Sequence, residues 1–356
     1  MDTTDTYAKR ISALINDHPL DVDTEITIHG KAPSAASSEF LTNREQGDWA
    51  EHLVISSINA SSTSYVAVPY GRSENLSAGD EGFEAYYAEY QTELNTIGKR
   101  PDVLVFRRSD VPSDGLFDYS DAEIVSKAVA AIEVRSSCFL SDKYSKFMED
   151  RSQRAEKECI RLRDELFQEP YRSILYRKST ALFSLLESAS TTTFRELDFR
   201  LTTWSSSPEL VFISEHLKQI KDNITLLHKR DFLSITPKLE DIALVNRWIQ
   251  IFNVPHYYLQ VFFDRGYVIS FEDILRISSN SELEGSVFTI ERDVKNQGKT
   301  TIKIDIGQAN PIIGKIEMPN HFSAMKELAR GRLLFFVKFT GGQGFLDLDI
   351  LNSILK

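Results

Sequence analysis

Two acidic residues stand beside apolar runs in a way that suggests chemistry. Asp102 follows Pro101 and opens the run Val103-Leu104-Val105-Phe106, and Glu133 directly follows Ala128-Val129-Ala130-Ala131-Ile132. A charge at the end of a buried strand needs a partner, because an unpaired charge away from water is costly. Hard divalent cations such as Mg2+ take oxygen ligands, usually one or two carboxylates, with water and substrate phosphate completing the set. The two acids are 31 positions apart, enough chain for their strands to pair at the sheet spacing of about 4.8 Å and bring both carboxyl groups to one ion. Read singly, Asp102 is a turn cap after Pro101 and Glu133 an ion-pair partner of Arg135. Read together, with Glu51 upstream and Ser136-Ser137 after the arginine, they describe a candidate site for a divalent cation.

Elements with the right periodicity surround these residues. Tyr7 to Asn16 has helical spacing through Ile11, Leu14 and Ile15, and Glu25 to Ser38 reads as a short strand and a small-residue loop. After Asn43, Trp49, Leu53 and Val54 share one face of a predicted helix that carries Glu51. Three β-prone runs follow: YVAVPY from Tyr65, DVLVF from Asp102, and AVAAIEV ending at Val134. A polar loop with a short helix separates the first two. Asp142 to about Leu186 alternates charge as a solvated helical region does, and the loop around Trp204 leads to another short helix. DFLSITPK reads as a strand, LEDIALVNRWIQIFNV as a helix stopped by Pro255, and HYYLQVFFD as a strand. Beyond Asn280 come the alternating runs SVFTIERD, TTIKIDI and PIIGKIEMP, a predicted helix at HFSAMKELARG, and a strand at RLLFFVKF before a glycine turn. Early strands in close succession and later strands separated by helices predict a mixed sheet flanked by helices, an α+β arrangement.

Composition bounds the alternatives. The 356 residues are 42% hydrophobic and 26% charged, the balance of a globular protein rather than a disordered or collagen-like one. Lys and Arg number 41 against 52 Asp and Glu, a net charge of −11. This argues against unspecific coating of nucleic acid but leaves room for a locally basic cleft. Two cysteines, Cys138 and Cys159, make no disulfide framework and fit a reduced, cytoplasmic setting; Cys138 reads as a buried structural thiol. The polar start has no apolar signal core, and no apolar stretch approaches the roughly 20 residues of a membrane span. The seven histidines are scattered without zinc-ligand spacing, TGGQG lacks the Lys-Ser/Thr of a phosphate loop, and no GxSxG elbow is present.

The ordered set PDVLVF, then AIEVRSS, resembles the PD-(D/E)XK nuclease superfamily, in which Asp and Glu hold Mg2+ at the cleavage site. Glu51 in QGDWAE matches the helix glutamate that many members carry before the first strand. DFLSITPKLED and NVPHYYLQVFFD look like that fold's later strand–helix–strand. The set, from Glu45 to Asp273, is most similar to type II restriction endonucleases of the AccI type. The resemblance implies a restriction-endonuclease-like α/β core with a helical insertion and a C-terminal β-rich subdomain. The predicted divisions are an N-terminal helix and arm (1–40), the first part of the core (41–139), the insertion (140–230), the second part of the core (231–279) and the C-terminal region (280–356).

The resemblance further implies Mg2+-dependent, sequence-specific hydrolysis of double-stranded DNA by a homodimer, since palindromic sites match two-fold symmetry. Asp102 and Glu133 would hold the metal, and Glu51 would bind a second ion or position its water. The family pattern ends in Lys where this chain has Arg135. Arg stays protonated, so Arg135 is expected to clamp the phosphate or its developing charge. Lys238 reads as a solvated strand-end residue and would supply the missing ammonium only if its strand lay beside the site. Arg72, Arg100, Ser136, Ser137 and Lys143 are the candidate DNA contacts; Lys99, Arg107, Arg108, Lys146, Arg151 and Arg154 are further cations near them. A competing reading is a sequence-specific DNA-binding protein whose nuclease centre has decayed, with Arg135 as the scar.

Overall fold

A computed structural model describes residues 6–17, 33, 35–71, 76–111, 121–190, 193–293, 299–328 and 331–355. The reading at Glu25–Ser38 falls largely outside these, and so does Arg72. The chain forms two compact units, Asp142–Phe232 and the remainder on either side of it.

In the larger unit the elements begin with α1 (Tyr7–Asp17), α2 (Ser38–Ser61), β1 (Tyr65–Pro69), α3 (Phe83–Thr96), β2 (Val103–Arg107), α4 (Ala122–Val125) and β3 (Ala130–Ser136). The smaller unit is helical, with most of α5 (Ser141–Leu166), then α6 (Tyr171–Lys178), α7 (Thr180–Glu187) and α8 (Pro208–Leu227). Leu162, Leu166, Phe183, Phe194, Leu217 and Ile220 fill its own core. The larger unit resumes with β4 (Ser234–Ile235), α9 (Leu239–Phe252), β5 (His256–Val261), β6 (Gly266–Ser270) and α10 (Phe271–Ser278). It ends with β7 (Phe288–Asp293), β8 (Lys299–Asp305), β9 (Asn310–Glu317), β10 (Asn320–Glu327), β11 (Leu333–Thr340), β12 (Gln343–Leu346) and α11 (Leu348–Ile354).

Seven strands make the central sheet in the order β1-β2-β3-β5-β6-β9-β12. Every pair is antiparallel except β3 and β5, which run parallel. A parallel pair needs a long crossover, and here the crossover contains the helical unit and α9. Strand alternation sends Val103, Val105, Ile132, Val134, Leu259 and Val261 to one face, under Trp49, Leu53, Val54 and Ile58 of α2. Leu104, Phe106, Ala131, Tyr258 and Ile269 go to the other, under Val245, Trp248 and Ile249 of α9. Both faces are covered by helices, as the mixed-sheet expectation requires.

One element differs in kind from the sequence reading. HFSAMKELARG does not form a helix: Asn320–Glu327 is β10, paired antiparallel with β11 so that Met325 faces Phe335 and Ala324 faces Phe336. The helix-prone Ala, Met, Lys and Glu yield to a β-rich partner, LLFFVKFT, and to packing of Leu334 and Phe336 with Leu41 of α2. The DFLSITPK strand shrinks to the two residues of β4, with an isolated bridge from Lys238 to Thr301. The glycine motif is a turn, with Gly341 and Gly342 at φ of 69° and 86°, and the Trp49 indole N–H donates to the Gly341 carbonyl at 2.9 Å. Cys138 is exposed rather than buried, because it lies beyond the end of β3; Cys159 is the buried thiol.

Candidate active site

Strand register brings the two acids together. β2 pairs β3 with Val103 opposite Ile132, so one step further Asp102 lies across from Glu133. The Asp102 backbone N–H donates to the Ile132 carbonyl (3.1 Å), and its own carbonyl accepts from the N–H groups of Tyr70 and Gly71 (2.8 and 3.0 Å). Its carboxylate Oδ2 accepts from the Val134 N–H at 2.7 Å. Backbone bonds thus fix Asp102 on three sides. On the other flank of β3, Glu133 pairs with Tyr258 and Arg135 with Gln260 of β5, placing all four side chains on the α9 face of the sheet.

Glu133 is buried, at 2% exposure. Its Oε1 accepts from Lys99 Nζ at 2.5 Å and from the Arg135 guanidinium at 2.9 Å. Asp241, in the first turn of α9, takes the same two cations on its Oδ2, at 2.8 and 3.0 Å. Two cations and two anions therefore alternate around a closed ring. The other Glu133 oxygen, Oε2, is buried without a hydrogen-bond partner among the described residues, as are Arg135 Nε and the Tyr258 hydroxyl.

Electrostatics divide the acids into two kinds. Burial works to raise the Glu133 carboxyl, but the Lys99 and Arg135 charges prevail and hold it below the usual range. Asp241 behaves likewise: burial opposes ionisation, and Lys99, Arg135 and Lys238 outweigh it. Asp102 goes the other way. Burial, then the Glu133 charge, then the Glu51 charge push it well above the ordinary value, with Lys99 and Arg135 only partly compensating. The ring neutralises itself, so ionising Asp102 adds a surplus negative charge that a bound cation would relieve.

The donor set fits Mg2+ on this observation: Glu133 Oε2 is buried without a hydrogen-bond partner among the described residues, and strand register sets Glu133 opposite the second acid, Asp102. Among the described residues no three His, Cys, Asp or Glu side chains gather as a metal cage. Mg2+ is commonly held by one or two carboxylates, with water and phosphate supplying the rest. Glu51 is close enough to act on Asp102 electrostatically, from α2.

The sequence candidates are distributed unevenly. Asp102, Glu133 and Arg135 converge, and Glu51 stands at their margin. Ser136 and Ser137 continue past Arg135, half-buried, and the Ser137 N–H is committed to the Val261 carbonyl at 2.9 Å. Arg100 turns away to Glu93 (2.8 Å) and lies over the Tyr70 ring. Lys143 is exposed on α5, in the helical unit, where Arg151 is bonded to the Lys229 and Arg230 carbonyls.

Sequence reasoning placed Lys99 only among the cations near the DNA contacts, read Tyr258 and Gln260 as part of a core strand, and did not consider Asp241. Lys99 had a signal, standing three residues before Asp102. It reaches the site because the chain presses against α9: Lys99 N–H donates to the Leu244 carbonyl at 3.1 Å, and Arg247 donates to the Leu94 and Asn95 carbonyls. Gly98 permits this approach, at φ +81° and with its Cβ position only 2.2 Å from the Leu244 oxygen. Asp241 had none, since acids are ordinary in a first helical turn.

An ammonium, that of Lys99, thus stands beside the Arg135 guanidinium on the same two carboxylates. No curated protein and no solved structure matches the chain. A family model, AccI restriction endonuclease, matches residues 5–356. With nearly the whole length matched and two carboxylates paired across its central strands, the chain belongs to the AccI restriction endonuclease family.

Proposed function

We propose that this protein is an Mg2+-dependent type II site-specific deoxyribonuclease, hydrolysing phosphodiester bonds in double-stranded DNA as a homodimer. Family membership supports sequence-specific DNA cleavage. The observation that carries the metal-dependent reading is Glu133 Oε2, buried and without a partner among the described residues, across the sheet from Asp102. These two carboxylates would hold the ion. When bound, Mg2+ supplies Lewis-acid stabilisation of the phosphoryl oxygens and lowers the pKa of a coordinated water.

The chain's own groups would do the remaining work. Arg135 cannot give up its proton. Lys99 is held protonated, because Asp241 and Glu133 outweigh the burial and the Arg135 charge that oppose it. Both would act as fixed positive charges on the phosphate and on the charge that develops there, a role worth about 10²–10³ in rate for a single preorganised donor. Glu51 would orient water at the margin of Asp102. Ser136 and Ser137 would offer hydroxyl donors to the phosphate backbone beyond Arg135.

Incubation with plasmid DNA and Mg2+ tests the reading. Discrete, reproducible fragments that vanish on chelation, and vanish in Asp102→Asn and Glu133→Gln proteins of unchanged Tm, are the expected result. Duplex retention without cutting would instead favour a binding protein, and undiminished cleavage by either variant would remove the assignment of the two acids.

A further inference from the structure

Asp241 lies outside the metal-holding pair, on a different element, yet it touches both cations of the site. Its Oδ2 and Glu133 Oε1 accept from the same two donors, Lys99 Nζ and the Arg135 guanidinium, at 2.5 to 3.0 Å. All the cation contacts of Glu133 therefore fall on one of its oxygens. A guanidinium facing a lone carboxylate tends to bind both oxygens through its fork. Here Arg135 is instead shared sideways with Asp241, and Glu133 Oε2 has no hydrogen-bond partner among the described residues.

We infer that Asp241 is a positioning residue of the cleavage site: it draws Lys99 and Arg135 to one end of the Glu133 carboxylate, so that the other oxygen stays open to a cation. The role rests on the metal-dependent reading above. Asp241 can hold that position because α9 is anchored against the chain leading into the site. The Lys99 N–H bonds the Leu244 carbonyl, and Trp248 of the same helix packs edge-on against Tyr70. Charge balance points the same way. Without Asp241 the two cations would share one anion, and both would be drawn onto Glu133.

The test is a mutant cycle on single-turnover plasmid cleavage in Mg2+, with Tm and with duplex binding measured in Ca2+. Asp241→Asn is expected to cut about 10–100-fold more slowly, the usual effect of losing a group that orients a metal ligand. Lys99→Met is expected to lose about 10²–10³. Because Asp241 acts through Lys99, the double variant should fall well short of the product of the two losses. Removing a negative charge next to the phosphate should leave duplex binding unchanged or tighter, whereas a merely structural role would weaken binding and cleavage together. Should Asp241→Asn not fold, Asp241→Glu keeps the charge and displaces the carboxylate by one methylene. Slower cleavage at wild-type Tm then supports the role.

Wild-type cleavage by the folded Asp241 variant, or losses that multiply fully in the double variant, would overturn the inference. The Glu133→Gln protein separates the two levels. If it is inactive while the Asp241 variant is normal, only the positioning role fails; if it is fully active, the metal-dependent reading fails beneath it.

Discussion

His256 gives this protein an acid-labile core. The residue opens β5 beside Ala131 of β3 and is fully buried, with ring contacts to Trp248, Tyr258 and Phe271. Neither ring nitrogen has a hydrogen-bond partner among the described residues. Burial therefore disfavours the imidazolium and lowers the pKa from 6.5 to about 4; Glu133 opposes the shift and Lys99 adds to it. A histidine whose folded pKa lies below its unfolded one binds its proton more readily after unfolding. Its stabilising contribution is complete above about pH 6.5 and is lost as pH falls towards 4, about 3 kcal/mol in all. Between pH 7 and pH 5 the loss is about 2 kcal/mol, a sizeable share of a total stability of about 5–15 kcal/mol.

Asp102, whose pKa is raised, contributes with the opposite sign, and stability associated with it is lost as pH rises. Comparison with His256→Phe isolates the imidazole, since the replacement keeps the ring packing and removes the titration. Urea unfolding followed by tryptophan fluorescence at pH 7 and pH 5 should show the stability difference between wild type and variant shifting by about 2 kcal/mol. A difference that stays constant across those pH values would mean that His256 does not gain its proton on unfolding in this range.

Two further outcomes follow from the same geometry. Gly98→Ala forces a Cβ to within 2.2 Å of the Leu244 carbonyl at φ +81°; it should cost about 1–2 kcal/mol from the left-handed conformation alone and more from the clash. Denaturation should show that loss, and plasmid digestion should show reduced cutting as Lys99 is displaced. Arg135→Lys keeps the charge but loses the planar guanidinium whose Nη2 bridges Glu133 and Asp241; cleavage should persist at a reduced rate, and its complete loss would show that charge alone does not suffice there.

The parts of the fold legible in the sequence were those in which periodicity and burial agree. Val103–Phe106 and Ala130–Val134 read as strands because both faces of the sheet are covered, and α2 and α9 read as helices because each presents a continuous apolar stripe. β10 misled for a physical reason: helix-prone residues become a strand when a long β-rich partner lies across the turn. β6 and α10 went unread because Gly266–Ser270 is short and runs directly into its helix. Within the site, Asp102 and Glu133 were legible because a carboxylate at a strand end stands out. Lys99 and Asp241 were not, since each becomes distinctive only when α9 folds against the segment before β2. No local pattern encodes that long-range contact.

Anomalous scattering from crystals soaked with Mn2+ would locate the ion itself. One strong peak is expected within about 2.0–2.6 Å of carboxylate oxygens from both Asp102 and Glu133, on the side of Glu133 away from Lys99 and Arg135. An ion held by other side chains in an actively cutting protein, with none touching Glu133, would contradict the assignment of these two acids.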